Sequence, residues 1–399
     1  MPNMRVLFVP LPWPTHHFAM VGLAWACRLQ GDEVRVAADA GVVEAVLSSG
    51  MVGVPVGRGF DFMADFGAAS RGPLRWRGPG EAVTDLLRAT PVTRYLRLAE
   101  TVVDDLTDFA TRWRPDVVVW DPAMFAGPLA AQRCGALSVR HTWGPDVTRL
   151  LRWPGMGAED PADVPAWPAD LAAFFRRHGA EPRDDLADLT LDTCPAALQV
   201  PGARNRVPLR YTPYNGPGLA PRWLLDEPTR PRVCVTWGTA STRALGSDAY
   251  PVPAILAALA TEDVEVVVAA KESDAALVGD PPPNARVAGP LPLHTLLPSC
   301  RAIVHQGGSG TVMTAAYHGV PQLVGGTVGD QEFNAARLTA AGAGAALPVG
   351  GAEPDGIRAA VHRLLSDDAA HAADGLRAGI LGHPSPAATA ARLRDLAGH

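Results

Sequence analysis

The amino-acid sequence predicts an α/β fold built as two doubly wound, mainly parallel sheets joined by a linker. Three observations carry this prediction: a strand, helix, strand opening; a proline- and glycine-rich break near the middle; and a second series of short apolar strands beyond it. At 399 residues the chain exceeds one ordinary core, since domains run to roughly 100–200 residues.

Arg5 to Val9 (RVLFV) is a continuous apolar run. A Pro-rich turn follows, then a helical stretch from Phe18 to Gln30, which Gly31-Asp32 stops before Glu33 to Ala38 resumes as strand. Strands covered by helices on both faces read as unbroken apolar runs, the mark of a parallel sheet. Val117 to Trp120 and Leu137 to Arg140 add two more. Residues 57–80 and 144–168, crowded with Gly, Arg, Pro and aromatics, are expected as long loops at one end of the sheet, where open α/β folds build their sites.

Pro208 to Pro231 is the expected linker, because repeated Pro and Gly prevent both helix and central strand. Beyond it Val233 to Trp237, Val264 to Ala270, Arg286 to Ala288, Ala302 to Val304 and Gln322 to Val324 restart the pattern, with helical stretches between most of them. Pro386 to Leu396 is a final helix. The expected division is residues 1–215, 216–385 and a C-terminal helix, 386–399, able to pack back on the first unit.

Composition excludes several classes of function. With 47% hydrophobic and 19% charged residues the chain is an ordinary soluble globular mixture rather than a disordered one. A net charge of -6 and no Lys/Arg run oppose binding to nucleic acid or a membrane surface. Lys271 is the one lysine, so there is no GxxxxGK phosphate loop and a single candidate for Schiff-base chemistry. Five cysteines without a CxxC indicate neither a disulfide framework nor a zinc site. The N-terminal apolar run is too short for a signal-peptide core or a membrane span, and the expected compartment is the cytoplasm.

The strongest local signal is His305 to Thr311 (HQGGSGT), a strand ending in a glycine-rich turn that leads into a helix, Thr311 to His318. Backbone N–H groups and the positive helix N-terminus there suit an anion such as pyrophosphate, although the same glycines serve a plain tight turn equally well. The segment is neither a GxSxG elbow nor a GxGxxG fingerprint. Some twenty residues on, Asp330-Gln331 in GGTVGDQEFN offers hydrogen bonds to sugar hydroxyls, or alternatively caps a helix.

Taken in order and spacing, His305 to Thr311, Gly319-Val320-Pro321-Gln322 and Asp330-Gln331 resemble the donor-site signature of inverting nucleotide-sugar glycosyltransferases of the GT-B type. Met4 to Ala38, Pro115 to Ala130, Asp192 to Gln199 (DTCPAALQ) and Tyr211 to Gly216 (YTPYNG) extend the likeness to the actinobacterial antibiotic and macrolide glycosyltransferases, and to their spinosyn rhamnosyltransferase branch. The resemblance implies two facing Rossmann-like domains, the first binding the acceptor and the second the nucleotide-sugar donor. It implies His16 as catalytic base and Asp121 as the carboxylate that orients it, with His17, His141 and Asp146 as acceptor-side candidates and Asp330 as an alternative base. A helix N-terminus beside His16 would favour the neutral imidazole that base catalysis needs.

On the donor side the resemblance implies His305 on the phosphate, Gly308, Ser309, Gly310 and Thr311 as the phosphate turn, Thr239 opposite them, Leu291 as a backbone contact and Asp330 and Gln331 on the sugar. Two positions depart from the family. Met313 stands where uridine-diphosphate enzymes carry a ribose-binding glutamate, which favours thymidine diphosphate (dTDP) or else reflects helix packing alone. Ala288-Gly289-Pro290-Leu291-Pro292 lacks the tryptophan that many relatives stack on the base.

The implied reaction moves a deoxysugar from a dTDP-sugar to a hydroxyl of a hydrophobic polyketide or similar aglycone, in antibiotic biosynthesis. It needs no metal and no cofactor beyond the donor co-substrate, and no D-x-D or HExxH is present. A homodimer is compatible with it. A GT-B-fold nucleotide-sugar epimerase and a non-catalytic auxiliary member are the alternatives; the first would turn over donor without an acceptor.

Overall fold

The computed structural model of the chain describes residues 3–57, 59, 61, 92–238, 250–326, 330–347 and 353–399. Among them the first sheet comprises β1 (Arg5–Val9), β2 (Glu33–Ala38), β3 (Gly53–Pro55), β4 (Val117–Trp120), β5 (Leu137–His141), β6 (Leu189–Asp192) and β7 (Arg206–Pro208). Their order is β3-β2-β1-β4-β5-β6-β7 and every pairing is parallel. The second sheet comprises β8 (Arg232–Thr236), β9 (Glu265–Val268), β10 (Ala285–Val287), β11 (Ala302–His305), β12 (Gln322–Val324) and β13 (Gly344–Ala346). It runs β10-β9-β8-β11-β12-β13, again all parallel. The two doubly wound sheets expected from the sequence are present.

Successive residues of each central strand feed opposite cores. Val6 and Phe8 pack with Met20, Leu23 and Leu393, whereas Leu7 and Val9 pack with Leu98 and Leu129. Helices therefore cover both faces, and burial of each such side chain contributes about 1.5–3 kcal/mol. In both sheets the strand order reverses direction once, between β1 and β4 and between β8 and β11. The connections leave on opposite faces there and open a crevice at the carboxyl ends of the strands.

Some elements differ from the sequence expectation. The helix expected from Phe18 begins at Pro14 and runs to Leu29. Proline suits a first helical position, where no N–H partner is needed, so His16 and His17 ride the first turn. The helix expected from Thr311 begins at Ser309. β3, β6, β7 and β13 have no counterpart in the apolar pattern, because three or four residues rich in Gly, Ala, Pro or polar groups carry little strand signal. Pro208 is tolerated in β7 because that strand is an edge. Of the 57–80 loop only residues 57, 59 and 61 are described, whereas 144–168 contains one short helix, Val147–Leu150, and a 3-10 turn, Pro161–Asp163.

Between Pro208 and Arg232 only the 3-10 turn Arg222–Leu225 is regular. Cys194, Leu198 and Tyr211, from the β6 to β8 region, bury among Val312, Met313, Leu338 and Leu376 beyond the linker, so one apolar cluster spans both units. The last helix, Pro386–Leu396, lies along Pro14–Leu29 with Ala390 and Leu393 in the first sheet's core, and Arg394 pairs with Asp32. No helix among the described residues is long and apolar enough to cross a membrane.

Close approach of the helix Ala126–Cys134 to β4 depends on Gly127, where a Cβ would lie 2.4 Å from the Trp120 Cβ. Neither atom belongs to a flexible side-chain end, so Gly127→Ala must push helix and strand apart. It is expected to lower stability by about 1–3 kcal/mol, read as a lower unfolding temperature in calorimetry. An unchanged midpoint would show that the helix re-seats freely.

Candidate active site

The register β1 to β4 sets Val9 beside Trp120, so the loop after β1 and Asp121 emerge from adjacent strand ends at the first crevice. The Asp121 N–H donates to the Val9 carbonyl at 3.0 Å and fixes the residue there. Its Oδ1 accepts the Ala123 N–H at 2.8 Å, and its Oδ2 lies 2.6 Å from Nδ1 of His16. A carboxylate only accepts, so Nδ1 carries the proton and a neutral ring leaves Nε2 as a free base. Asp121 is buried and His16 reaches solvent slightly, its side chain 17% exposed. The Trp143 ring stands 4.4 Å from the His16 ring and Trp13 lies 6.3 Å away, giving the imidazole an aromatic border.

His17 points elsewhere, because neighbours on a helix diverge by about 100°. It is buried with Nε2 2.9 Å from the Ser49 hydroxyl, and burial pushes its imidazole down to about 4. It is not at the crevice. Asp146 is likewise committed inside the domain. Its carboxylate pairs with the fully buried Arg140 at 3.0 Å and accepts the Thr148 hydroxyl at 2.5 Å, while its N–H donates to Gln199 Oε1. A charge so held balances Arg140 and does not face an acceptor. His141, the last residue of β5, is fully buried and close enough to Asp121 to feel its charge, but burial dominates and lowers its imidazole to about 4.

In the second unit β11 ends at His305 and the helix Ser309–His318 begins four residues later. Gly307 makes the turn at φ +93, where a Cβ would meet Val324 Cγ1 at 2.5 Å. Gly308 brings no capping side chain, so among the described residues the leading N–H groups of the helix have no side-chain partner at that end. Such a terminus is a site for an anion.

His305 differs from its expected role. It is fully buried, and its Nδ1 accepts the Gly307 N–H at 3.0 Å, which leaves Nε2–H to donate to Gln322 Oε1 at 3.0 Å. Burial lowers this imidazole too, to about 4. Gln322 in turn donates to the Val312 carbonyl. Both ring nitrogens are thus committed to groups within the protein, and His305 braces the turn from inside.

Asp330 opens the helix Asp330–Ala340, and its Oδ2 accepts the Ser309 hydroxyl at 2.8 Å. Burial raises this carboxyl, opposed first by the Ser309 bond and then by the charge of His16. Asp330, in the second unit, therefore lies close enough to His16 of the first to feel its charge. Gly144 touches Ser309 in the same seam. Gln331 lies over Gly326 and Gly307. Thr311 donates its N–H to the Gly308 carbonyl and Gly310 has open space around it. Leu291 is buried with Cys234 and Val267, and Met313 is fully buried beside Val312, so helix packing accounts for Met313. Thr239 lies outside the described residues.

Three neighbours escaped the sequence reading. Asn334 donates to the Gly307 carbonyl at 2.8 Å and to Ser309 at 3.2 Å, and its spacing of four from Asp330 is the signal that sets both on one helix face. The Gln306 amide lies across Gly238 and Gly308. Trp143 had only its place beside His141 to mark it. Among the described residues no group of three or more His, Cys, Asp or Glu is arranged to hold a metal ion.

Two facing parallel-sheet units, one presenting a His–Asp pair and the other an uncapped helix terminus with an Asp-Gln pair, define a GT-B glycosyltransferase. Residues 25–238 match the N-terminal domain, and 253–396 the C-terminal domain, of erythromycin biosynthesis protein CIII-like proteins; the chain belongs to this EryCIII-like glycosyltransferase family. It is 36% identical to tylactone mycaminosyltransferase of Streptomyces fradiae, over 99% of this chain and 93% of that one. Among solved structures it is similar to spinosyn forosaminyltransferase SpnP (TM-score 0.81, 34% identity, 100% of both chains). It is also similar to spinosyn rhamnosyltransferase SpnG complexed with thymidine diphosphate (TM-score 0.78, 32% identity, 98% of this chain and 100% of that one).

The pH dependence of stability has a defined sign at His17. Its folded pKa, about 4, lies below the ordinary 6.5, so between these values the unfolded chain binds a proton that the folded chain refuses. Its contribution is complete above 6.5 and falls away as pH drops toward 4. Relative to wild type, His17→Gln should gain up to about 2–3 kcal/mol on acidification across that window, measured by urea unfolding at each pH. A difference independent of pH would contradict the buried neutral imidazole.

Proposed function

We propose that this glycosyltransferase transfers a deoxysugar from a dTDP-sugar to a hydroxyl of a hydrophobic polyketide-type aglycone, with inversion at the anomeric carbon. The observation that carries the reading is the pairing of His16 Nδ1 with Asp121 in one unit, near enough to Asp330 of the other for charge to be felt, while Asp330 is bonded to Ser309 at the head of its helix. His16 Nε2 takes the proton of the acceptor hydroxyl, whose oxygen attacks the anomeric carbon as the bond to the diphosphate oxygen breaks. Asp121 holds the ring and stabilises the imidazolium that forms. Charge developing on the leaving diphosphate is met by the N–H groups of the helix headed by Ser309, with no metal ion required.

The choice of nucleotide is supported by the thymidine diphosphate held by SpnG. The choice of acceptor is supported by the Trp143 and Trp13 rings around His16, and by a further SpnG structure that holds the spinosyn aglycone. An epimerase has no comparable support, since the relative and both solved neighbours are named as transferases.

A panel of dTDP-deoxysugars against polyketide aglycones, followed by mass spectrometry, tests the reading. His16→Ala is expected to lose about 10²- to 10⁴-fold in transfer rate while keeping dTDP affinity, and Asp121→Asn to be impaired in the same sense. His17→Gln should retain activity, and chelation with EDTA should leave the rate unchanged. Undiminished transfer by His16→Ala together with an inactive Asp330→Asn would move the base to Asp330.

A further inference from the structure

The segment Tyr211 to Gly216 (YTPYNG) belongs to neither half of the site, yet it is hydrogen-bonded to the helix headed by Ser309 and packed on the helix that carries His16. Toward the donor side, the Tyr211 hydroxyl lies 3.3 Å from the Gly310 carbonyl and 3.2 Å from Thr314 Oγ1. The single Thr314 hydroxyl proton goes to the Gly310 carbonyl at 2.7 Å, so Thr314 Oγ1 accepts from Asn215 Nδ2, 3.1 Å away, and from Tyr211 when that hydroxyl turns to it. Asn215 Oδ1 accepts the His294 N–H at 2.9 Å and its ring Nδ1–H at 3.1 Å. Tyr211 is itself buried in the cluster with Val312 and Met313.

Toward the acceptor side, the Tyr214 ring meets Phe18 edge-on at 5.2 Å and Trp25 at 5.4 Å. Its hydroxyl donates to the Ser48 carbonyl. Gly216, at φ +86, lets the backbone lie on the Phe18 ring, which a Cβ would meet at 3.3 Å. Phe18 is two residues from His16, and Gly310 is the second residue of the helix whose terminus faces the donor. Each grip is thus within about one turn of the group that would act.

We propose that Tyr211, Asn215 and Thr314 are positioning residues for transfer, and that the YTPYNG segment is a splint fixing the His16 helix at one offset from the diphosphate-binding helix. The inference rests on the donor and base assignments proposed above. Base and leaving group come from different units, so only interdomain contacts can set the distance from the deprotonated oxygen to the anomeric carbon. An error of 1 Å in such a distance costs about a hundredfold in rate. A plain tether would need neither the polar bonds of Tyr211 and Asn215 to Gly310, Thr314 and His294 nor the aromatic edge contacts.

Thr314→Val and Tyr211→Phe each remove splint bonds, one of them to the Gly310 carbonyl, while leaving His16, Asp121 and every residue of the turn in place. Four quantities are measured on each variant: dTDP affinity by calorimetry, the thermal unfolding midpoint, kcat for transfer, and the fraction of dTDP-sugar hydrolysed by water instead of transferred. The expected result is wild-type dTDP affinity and unfolding midpoint, a kcat lower by about tenfold to a hundredfold, a larger hydrolysed fraction, and recovery of kcat and of the hydrolysed fraction in Thr314→Ser. Wild-type kcat and hydrolysed fraction in both variants would overturn the splint. So would a loss of transfer that only tracks a loss of dTDP affinity or of the folded state. Failure of the wild-type protein to bind dTDP would overturn the functional reading first, and the splint with it.

Discussion

A parallel strand has a direction, and every strand of a parallel sheet delivers its carboxyl end to the same edge. The rest of the molecule depends on this constraint. It sets Asp121, at the end of β4, next to the loop after β1 that starts the His16 helix, and it does so through backbone register rather than through any special contact. The same rule in the second sheet brings the end of β11 beside the end of β8, where Thr236 pairs with His305. Each sheet thus presents a crevice at its reversal of strand order, and the tyrosine and asparagine of the linker join the helices that rise from the two.

Burial then decides which polar groups can do chemistry. His17, His141 and His305 are fully enclosed and pushed down to about 4, so near neutrality each is an uncharged structural ring. His16 differs in having one nitrogen on a carboxylate and an edge toward solvent. The histidine count of the sequence therefore says little, because the enclosing layer and not the residue type decides which ring is open to a ligand. Arg140 and Asp146 make the same point for ion pairs: a charge buried at no exposure must be matched inside the domain, and it is then unavailable to a ligand.

The sequence revealed the fold where its elements are long and apolar. RVLFV, VVVW and the helix after Pro14 are unambiguous because full burial on both faces demands continuous hydrophobicity. β3, β7 and β13 were illegible because three-residue strands at or near an edge are held by backbone pairing to their neighbours and need no apolar side chains. His16 and Asp121 were legible through the spacing of the family motifs. His305 was legible as a member of the turn but not as a buried one, since its orientation follows from Gln322 and the Gly307 N–H, groups seventeen and two residues away. Asn334 needed the observation that its helix begins at Asp330, which fixes the face they share.

The scarcity of lysine bears on how an acidic chain can hold an anion. Lys271 lies 3.5 Å from the Asp274 carboxylate, so the one ammonium of the chain serves the acidic first turn of its own helix. The turn after β11 contains no cation, and His305 within it is neutral near pH 7. Aligned backbone dipoles remain, and these carry no proton that could be lost and need no counter-ion. The net charge of -6 is then distant and screened, whereas the dipoles are adjacent. Two acidic side chains do stand close to the reacting groups, Asp121 on Nδ1 of His16 and Asp330 across the seam. Both would oppose a diphosphate, yet both would attract the imidazolium that the proposed mechanism forms on His16. Because one belongs to each unit, that imidazolium would feel both charges only while the two units are held together, so on the proposed mechanism proton transfer depends on the same interface that sets the distance between base and donor.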